Sequence, residues 1–160
     1  MPRPKKMPHE LHHAGYLISD DPARLDVDAI HAFLVRSHWG EGIPREIVAR
    51  SVANSLCLGI YTAAGEQVGL VRVISDYATF AYVCDVYVLE PHRGRSLSKA
   101  AMRLYTTHPK LQNIRRHHLV TPDVHGLYAQ FGFAVVAQPE RHMEKRDPDA
   151  YRRAAMNPPR

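Results

Sequence analysis

The stretch from Val83 to Lys99 most constrains what this chain can fold into. It opens with an apolar strand, Val83-Cys84-Asp85-Val86-Tyr87-Val88-Leu89. A basic turn follows, Glu90-Pro91-His92-Arg93-Gly94-Arg95-Ser96, and then Leu97-Ser98-Lys99 at the head of a helix. A helix N-terminus presents unpaired N–H groups and a partial positive charge, so such a turn can hold an anion. An ordinary solvated strand-to-helix turn has similar letters, and this stretch alone does not separate the two readings.

On either side the pattern is that of one domain over 14–146, between a basic tail at 1–13 and a polar tail at 147–160. Tyr16 to Ser19 reads as a strand. Asp26 caps a helix to about Ser37, with Ile30, Phe33 and Leu34 at helical spacing, and Pro44 opens a second helix to about Asn54. Leu56–Thr62, Val68–Ser75 and Phe80–Leu89 form an antiparallel meander, its first turn at Ala64-Gly65-Glu66. Leu97, Ala100, Ala101 and Leu104 stripe one face of a helix that stops before Pro109. Leu119–Thr121 reads as a strand, Val124–Phe131 as a helix capped by Asp123, and Phe133–Ala137 with Arg141–Glu144 as a closing hairpin. A short helix is expected around Ala150–Met156. The helix between the Phe80 and Leu119 strands makes those two parallel neighbours by a right-handed crossover.

With 160 residues, 45% of them hydrophobic, the chain can bury a core and is not a disordered segment. No apolar run is long enough to cross a membrane, and the basic start Met1-Pro2-Arg3-Pro4-Lys5-Lys6 lacks the apolar stretch of a secretory signal. Cys57 and Cys84 sit in apolar runs, which fits buried thiols in a reducing cytoplasm. A net charge of +5 favours anionic ligands. No Lys/Arg block is interleaved with aromatics, so the composition does not favour nucleic acid.

A second segment, Gly126-Leu127-Tyr128-Ala129-Gln130-Phe131-Gly132-Phe133, joins the first. Together, in this order and separation, they resemble the GNAT acetyltransferase superfamily, over about Tyr16 to Glu144. The resemblance implies an α+β fold around a mixed, mostly antiparallel sheet flanked by helices. With it the resemblance implies a V-shaped splay between the fourth strand (Phe80) and the fifth (Leu119). The resemblance further implies acetyl transfer from acetyl-CoA to an amine by direct attack, with no covalent enzyme intermediate. The Val86 N–H would meet the acyl carbonyl, Val86 and Val88 would pair with the pantetheine arm, and Arg93, Gly94, Arg95, Ser96, Leu97 and Ser98 would hold the pyrophosphate. Tyr128 would protonate the leaving thiolate; its rival role is core packing beside Leu127 and Phe131.

The chain departs from the family at two places. Ser96 and Ser98 stand where glycine or alanine is usual, and the glutamate that relatives often carry is replaced by Tyr82 or Cys84. If the turn needs positive φ at Ser96, a side chain there is a burden; its hydroxyl could instead cap the helix. Asp85, Asp76, Glu41, His38 and His125 remain as bases, or a water chain. Asp85 reads better as a structural carboxylate, and Arg72 as an ion-pair partner. His38, Trp39 and Glu41, with Asp85, are the candidates for the acceptor side. His117-His118 point to opposite strand faces and complete no metal set. Cys84 reads as an inert buried thiol.

The expected partner is a small-molecule amine, the expected state a monomer or homodimer, and no metal is expected. An acyl carrier protein or aminoacyl-tRNA as donor is the enzymatic alternative. A non-catalytic acyl-CoA sensor is the alternative from another class.

Overall fold

A computed structural model describes residues 7–158. Six strands lie in the order of the sequence: β1 (Glu10–His13), β2 (Tyr16–Ser19), β3 (Leu56–Tyr61), β4 (Gln67–Ser75), β5 (Phe80–Val88) and β6 (Arg116–His118). All neighbours are antiparallel except β5 and β6, which are parallel. Helices α1 (Val27–Leu34) and α2 (Arg45–Ala53) precede β3, and α3 (Leu97–Thr107) makes the crossover from β5 to β6. Then come α4 (His125–Ala129) and α5 (Ala150–Met156). This is the mixed, mostly antiparallel α+β architecture expected from the sequence.

Two apolar clusters form the core. One joins Ala100, Ala101 and Leu104 of α3 to Leu58, Val71, Val73, Ala81, Val83 and Val88 of the sheet. The other joins Ile30 and Leu34 of α1 and Val48 and Val52 of α2 to Cys57, Leu70 and Tyr87. Alternation along β5 explains the division, with one interruption. Ala81 and Val83 pack on the α3 side, yet so do Val86 and Val88. The extra residue is absorbed where the β4–β5 register shifts between Leu70 and Arg72, opposite Asp85, whose φ is +48°. This β-bulge bends β5 and takes its backbone out of the ladder at that point.

The splay is formed by the other edge of β5. Only Phe80, Ala81 and Tyr82 pair with β6, opposite Arg116, His117 and His118; from Val83 onward β5 has no strand partner on that side among the described residues. The expected opening between the Phe80 strand and the next is therefore present, and it begins after the Tyr82–His118 rung.

Several boundaries differ from the sequence reading. Residues 10–13, read as part of a tail, form β1 against β2; residues 1–6 of that tail lie outside the described residues. The strand read at 119–121 lies three residues earlier. The closing hairpin is absent: Phe133–Ala137 and Arg141–Glu144 are not strands, and Pro139–Arg141 is a 3₁₀ turn. Met143 is the lone apolar residue of Arg141–Glu144 and is 97% exposed, so no buried face rewards pairing there. The helix α4 is shorter than expected and starts without an Asp123 cap. The expected Asp26 cap on α1 is made, by its carboxylate with the Ala29 N–H at 3.0 Å. The helix expected in the C-terminal tail is α5, and its Tyr151 packs on the α1–α2 cluster.

Candidate active site

The turn after β5 is built from its own side chains. Arg93 Nε donates to the Val88 carbonyl at 2.8 Å, and Arg95 Nη1 donates to the carbonyls of Pro91 (3.0 Å) and Arg93 (3.3 Å). With those carbonyls held, the N–H groups of Gly94, Arg95 and Ser96 have no acceptor among the described residues. The first bond of α3 is Ala100 N–H to Ser96 O at 3.0 Å, so Leu97, Ser98 and Lys99 add three orphan donors at the helix start. A cavity of about 220 Å³ lies over this turn, between Val88, Arg93, Ser98 and Lys99 on one side and Leu127 of α4 on the other. Clustered N–H donors beside an arginine and a lysine suit a pyrophosphate.

Gly94 and Ser96 both have positive φ, +78° and +56°. Ser96 therefore adopts the left-handed conformation that glycine would take more easily, and its hydroxyl does not cap α3. The conformation costs about 1–2 kcal/mol for a residue with a Cβ, and the surrounding contacts hold it. The hairpin missed in the sequence supplies some of them. Tyr16 Oη lies 2.8 Å from His92 Nδ1, and His13 Nε2 lies 3.0 Å from the Arg95 carbonyl.

Val88 is buried and Val86 half-buried, both on the side of the splay lined by the α3 cluster. Tyr128 of α4 is 7% exposed and rests edge-on against Phe133, with ring centroids 6.1 Å apart. Its hydroxyl has no hydrogen-bond partner among the described residues, and it is not among the buried unpartnered atoms, so water reaches it. Burial raises the phenol's pKa, which keeps the proton on at neutral pH. Packing and proton donation are thus both open to this one residue.

On the opposite face, Asp85 gathers the residues expected at the acceptor side. It accepts from Arg72 Nε at 2.6 Å and from Trp39 Nε1 at 3.0 Å, and Arg72 Nη1 reaches Ser55 Oγ at 3.1 Å. Burial opposes the Arg72 charge, and the Asp85 carboxylate overrides it and raises the guanidinium's pKa. Trp39 lies edge-on to His38 at 4.9 Å and tilted against Phe33 at 5.9 Å, and Phe33 stacks on Tyr87 at 3.7 Å. Glu41 is exposed and makes no side-chain bond or ion pair among the described residues. Burial pushes the Cys84 and Cys57 thiols up to about 12, which leaves no thiolate at neutral pH.

The sequence reading missed the partners of Tyr82. His118 stands opposite it across the β5–β6 rung, with centroids 5.8 Å apart. The signal was the His117-His118 pair, weighed only as metal ligands. Among the described residues no three metal-binding side chains converge. His117 instead faces α3 and bonds the Tyr105 hydroxyl. A larger cleft of about 470 Å³, between the end of α3 and residues 131–134, lies apart from the turn.

Residues 37–133 match the family model described as the Acetyltransferase (GNAT) family. A Gibberella zeae protein named for an acetyltransferase activity, with no substrate stated, is 32% identical over 145 residues, covering 77% of this chain and 81% of its own. A GNAT-family crystal structure from Xanthomonas campestris pv. campestris is 45% identical, with a TM-score of 0.83, covering 88% of this chain and 99% of that one. A Clostridium acetobutylicum structure with acetyl-CoA shares the fold at 15% identity and a TM-score of 0.56, covering 81% and 98% of the two chains. A bulged β5 that parts from β6, a donor-lined turn and a matching family model covering more than half the chain place this protein in the GNAT acetyltransferase family.

Proposed function

We propose that the protein transfers an acetyl group from acetyl-CoA to the amine of a small molecule, by direct attack in a ternary complex. The observation that carries this reading is the turn from Arg93 to Lys99. Ser96 keeps the left-handed backbone despite its side chain, and the orphan N–H groups face a cavity that runs to Val88. That conformation favours a CoA pyrophosphate over a carrier-protein thioester as the donor.

The pantetheine arm would lie along the unpaired edge of β5, bonding the backbone of Val86 and Val88. Negative charge builds on the thioester oxygen as the amine attacks, and the Val86 N–H would meet it; a pre-aimed donor of this kind is worth roughly a hundredfold or more in rate. Tyr128 would protonate the departing thiolate. Trp39 and His38 would wall the acceptor side, with Asp85 locked in its pair with Arg72. That wall is aromatic and its enclosed carboxylate, Asp85, is already paired, with Glu41 exposed on the same loop as Trp39, which suits an amine carrying an apolar or aromatic body. Buried, unpaired Cys57 supports a reducing compartment such as the cytoplasm.

Calorimetry with CoA and acetyl-CoA, followed by a thiol-release screen over primary amines, tests the reading. Binding with amine-dependent release is expected. Binding without turnover on any amine would leave the acyl-CoA sensor instead.

A further inference from the structure

The reaction needs a proton acceptor, because most amines arrive protonated, and the usual glutamate is absent from Tyr82 and Cys84. The other candidate bases are engaged or stand exposed on loops and a helix start. Asp85 is held by Arg72 and Trp39. Asp76 accepts from the N–H groups of Ala78, Thr79 and Phe80 in the β4–β5 turn. Glu41 and His38 lie exposed on the loop after α1, His38 edge-on to Trp39 at 4.9 Å, and His125 is exposed at the start of α4.

We infer that His118 is the general base of the reaction, a role that rests on the acetyl-transfer reading above. Its position is the first argument. The Tyr82–His118 rung is the last before β5 and β6 part, so the imidazole stands at the apex of the splay. It lies on the same sheet face as Asp85 and Trp39, because Ala81 and Val83 occupy the other face. Val86 is four residues beyond Tyr82 along β5, a span of at most about 13 Å that the bend at Asp85 shortens. An acceptor nitrogen at the thioester, with one or two bridging waters, fills that span.

Its fixation is the second argument. Three rings from two segments hold the imidazole: Tyr82 at 5.8 Å and Phe80 at 6.2 Å from β5, and His142 at 5.8 Å from the C-terminal segment. Neither ring nitrogen has a hydrogen-bond partner among the described residues, and neither is among the buried unpartnered atoms, so both are open to water. His117, one residue away, is bonded to Tyr105 and faces α3. The groups that bear on the titration of His118 are His142 and Arg116, with the Tyr82 hydroxyl and Glu144 beside the same stack. Burial first, then His142 and Arg116, lower the imidazole's pKa, so it is neutral and able to accept a proton near pH 7.

The balance is complete without a further reagent. His118 takes one proton from the ammonium, directly or through water. The freed lone pair forms the C–N bond at the thioester carbon, and the C–S bond breaks with its electron pair leaving on sulfur. The second proton lost from nitrogen reaches the thiolate through the Tyr128 hydroxyl. The products are the amide and the CoA thiol, with one net proton on His118 that passes to solvent.

The test compares wild type with His118→Gln on acetyl-CoA and a panel of primary amines from 2-phenylethylamine to spermidine, following kcat/KM against pH. CoA affinity by calorimetry and thermal unfolding accompany it. In wild type the rate should fall below a single acidic pKa, and the His118 imidazole titration by NMR, assigned in wild type by through-bond correlation to its backbone, should give the same value. The variant should lose about a hundredfold or more in kcat/KM, lose that acidic limb, and bind CoA as wild type does. A variant with wild-type rate and an unchanged limb overturns the assignment. So does an NMR titration of His118 that does not match the limb, which remains measurable if the variant fails to fold. CoA binding with no amide from wild type on any amine brings down the acetyl-transfer reading, and this inference with it.

Discussion

Arg72 on β4 donates from Nε to the Asp85 carboxylate at 2.6 Å, at the one residue of β5 whose φ is positive. The pair is largely enclosed, with side chains 14% and 9% exposed. The bulge that shapes the splay is thus tied to a charge pair, and Trp39 is tied to the same carboxylate. Removing one partner of such a pair leaves a charge without compensation. Asp85→Asn keeps a residue that tolerates φ +48° but loses the charge, and should cost about 3 kcal/mol. Trp39→Phe loses one hydrogen bond and should cost about 1 kcal/mol. Urea unfolding of the two variants checks the ranking; equal costs would show that the ion pair does not hold the bulge.

Ser96 stores backbone strain that glycine would release. Relief of about 1–2 kcal/mol is partly offset by roughly 0.5–1 kcal/mol of extra chain entropy in the unfolded state. Ser96→Gly should therefore raise stability by about 0.5 kcal/mol and leave CoA affinity equal or tighter. Ser96→Val, β-branched at positive φ, should lower both. Chemical denaturation with calorimetry decides; a loss of CoA affinity in the glycine variant would mean that the hydroxyl itself binds phosphate.

The two arginines of the turn support its carbonyls and leave guanidinium nitrogens without a partner among the described residues. An Arg93→Ala/Arg95→Ala double variant should weaken CoA binding by tenfold or more, and wild-type binding should weaken with added salt. Calorimetry at two salt concentrations reads both effects. A nearly unaltered affinity would count against a phosphate at this turn.

Most of the sheet was legible in the sequence because β3, β4 and β5 are long, apolar and rich in β-formers, and because Asp26 and Pro44 punctuate α1 and α2. The turn was legible through Arg93, Gly94 and the helical stripe behind them. What escaped is tertiary. Strand β1 has the composition of a tail, Glu10-Leu11-His12-His13, and earns its place by pairing with β2. The bulge at Asp85 leaves no mark in the letters, since it lies in the register between β4 and β5, where Arg72 meets Asp85 across the ladder. His118 was passed over because its neighbours Tyr82 and Phe80 lie far away in sequence.

Tyr128→Phe keeps the ring and its packing on Phe133 and removes only the hydroxyl. Turnover should fall about tenfold or more while CoA affinity stays the same. Because burial raises the phenol's pKa, any basic limb owed to Tyr128 in the wild-type profile should lie above pH 10. Single-turnover kinetics in wild type and variant test this; equal rates of the chemical step would remove Tyr128 from the acid role.

Stability should fall as the solution is acidified in two stages. Burial lowers the pKa of His108, His117 and His118; for His108 it outweighs the Asp20 carboxylate 2.8 Å away. The unfolded chain then binds more protons below 6.5, so this stability is intact above pH 6.5 and declines as pH drops through the folded values. Asp76 and Asp28 have lowered pKa values, through hydrogen bonds to Thr79 and to Arg45 respectively, and their contribution declines only below about 3.8. Thermal melts across this range should show the first loss near neutral pH. A flat profile down to pH 5 would contradict the histidine assignments.

The most direct test of acetyl transfer is mass-spectrometric detection of product from wild-type protein, acetyl-CoA and the primary-amine panel. The account predicts an amine heavier by one acetyl group, formed in step with free CoA thiol and only when protein and acetyl-CoA are both present. CoA binding at the turn with no acetylated amine from any member of the panel would contradict it.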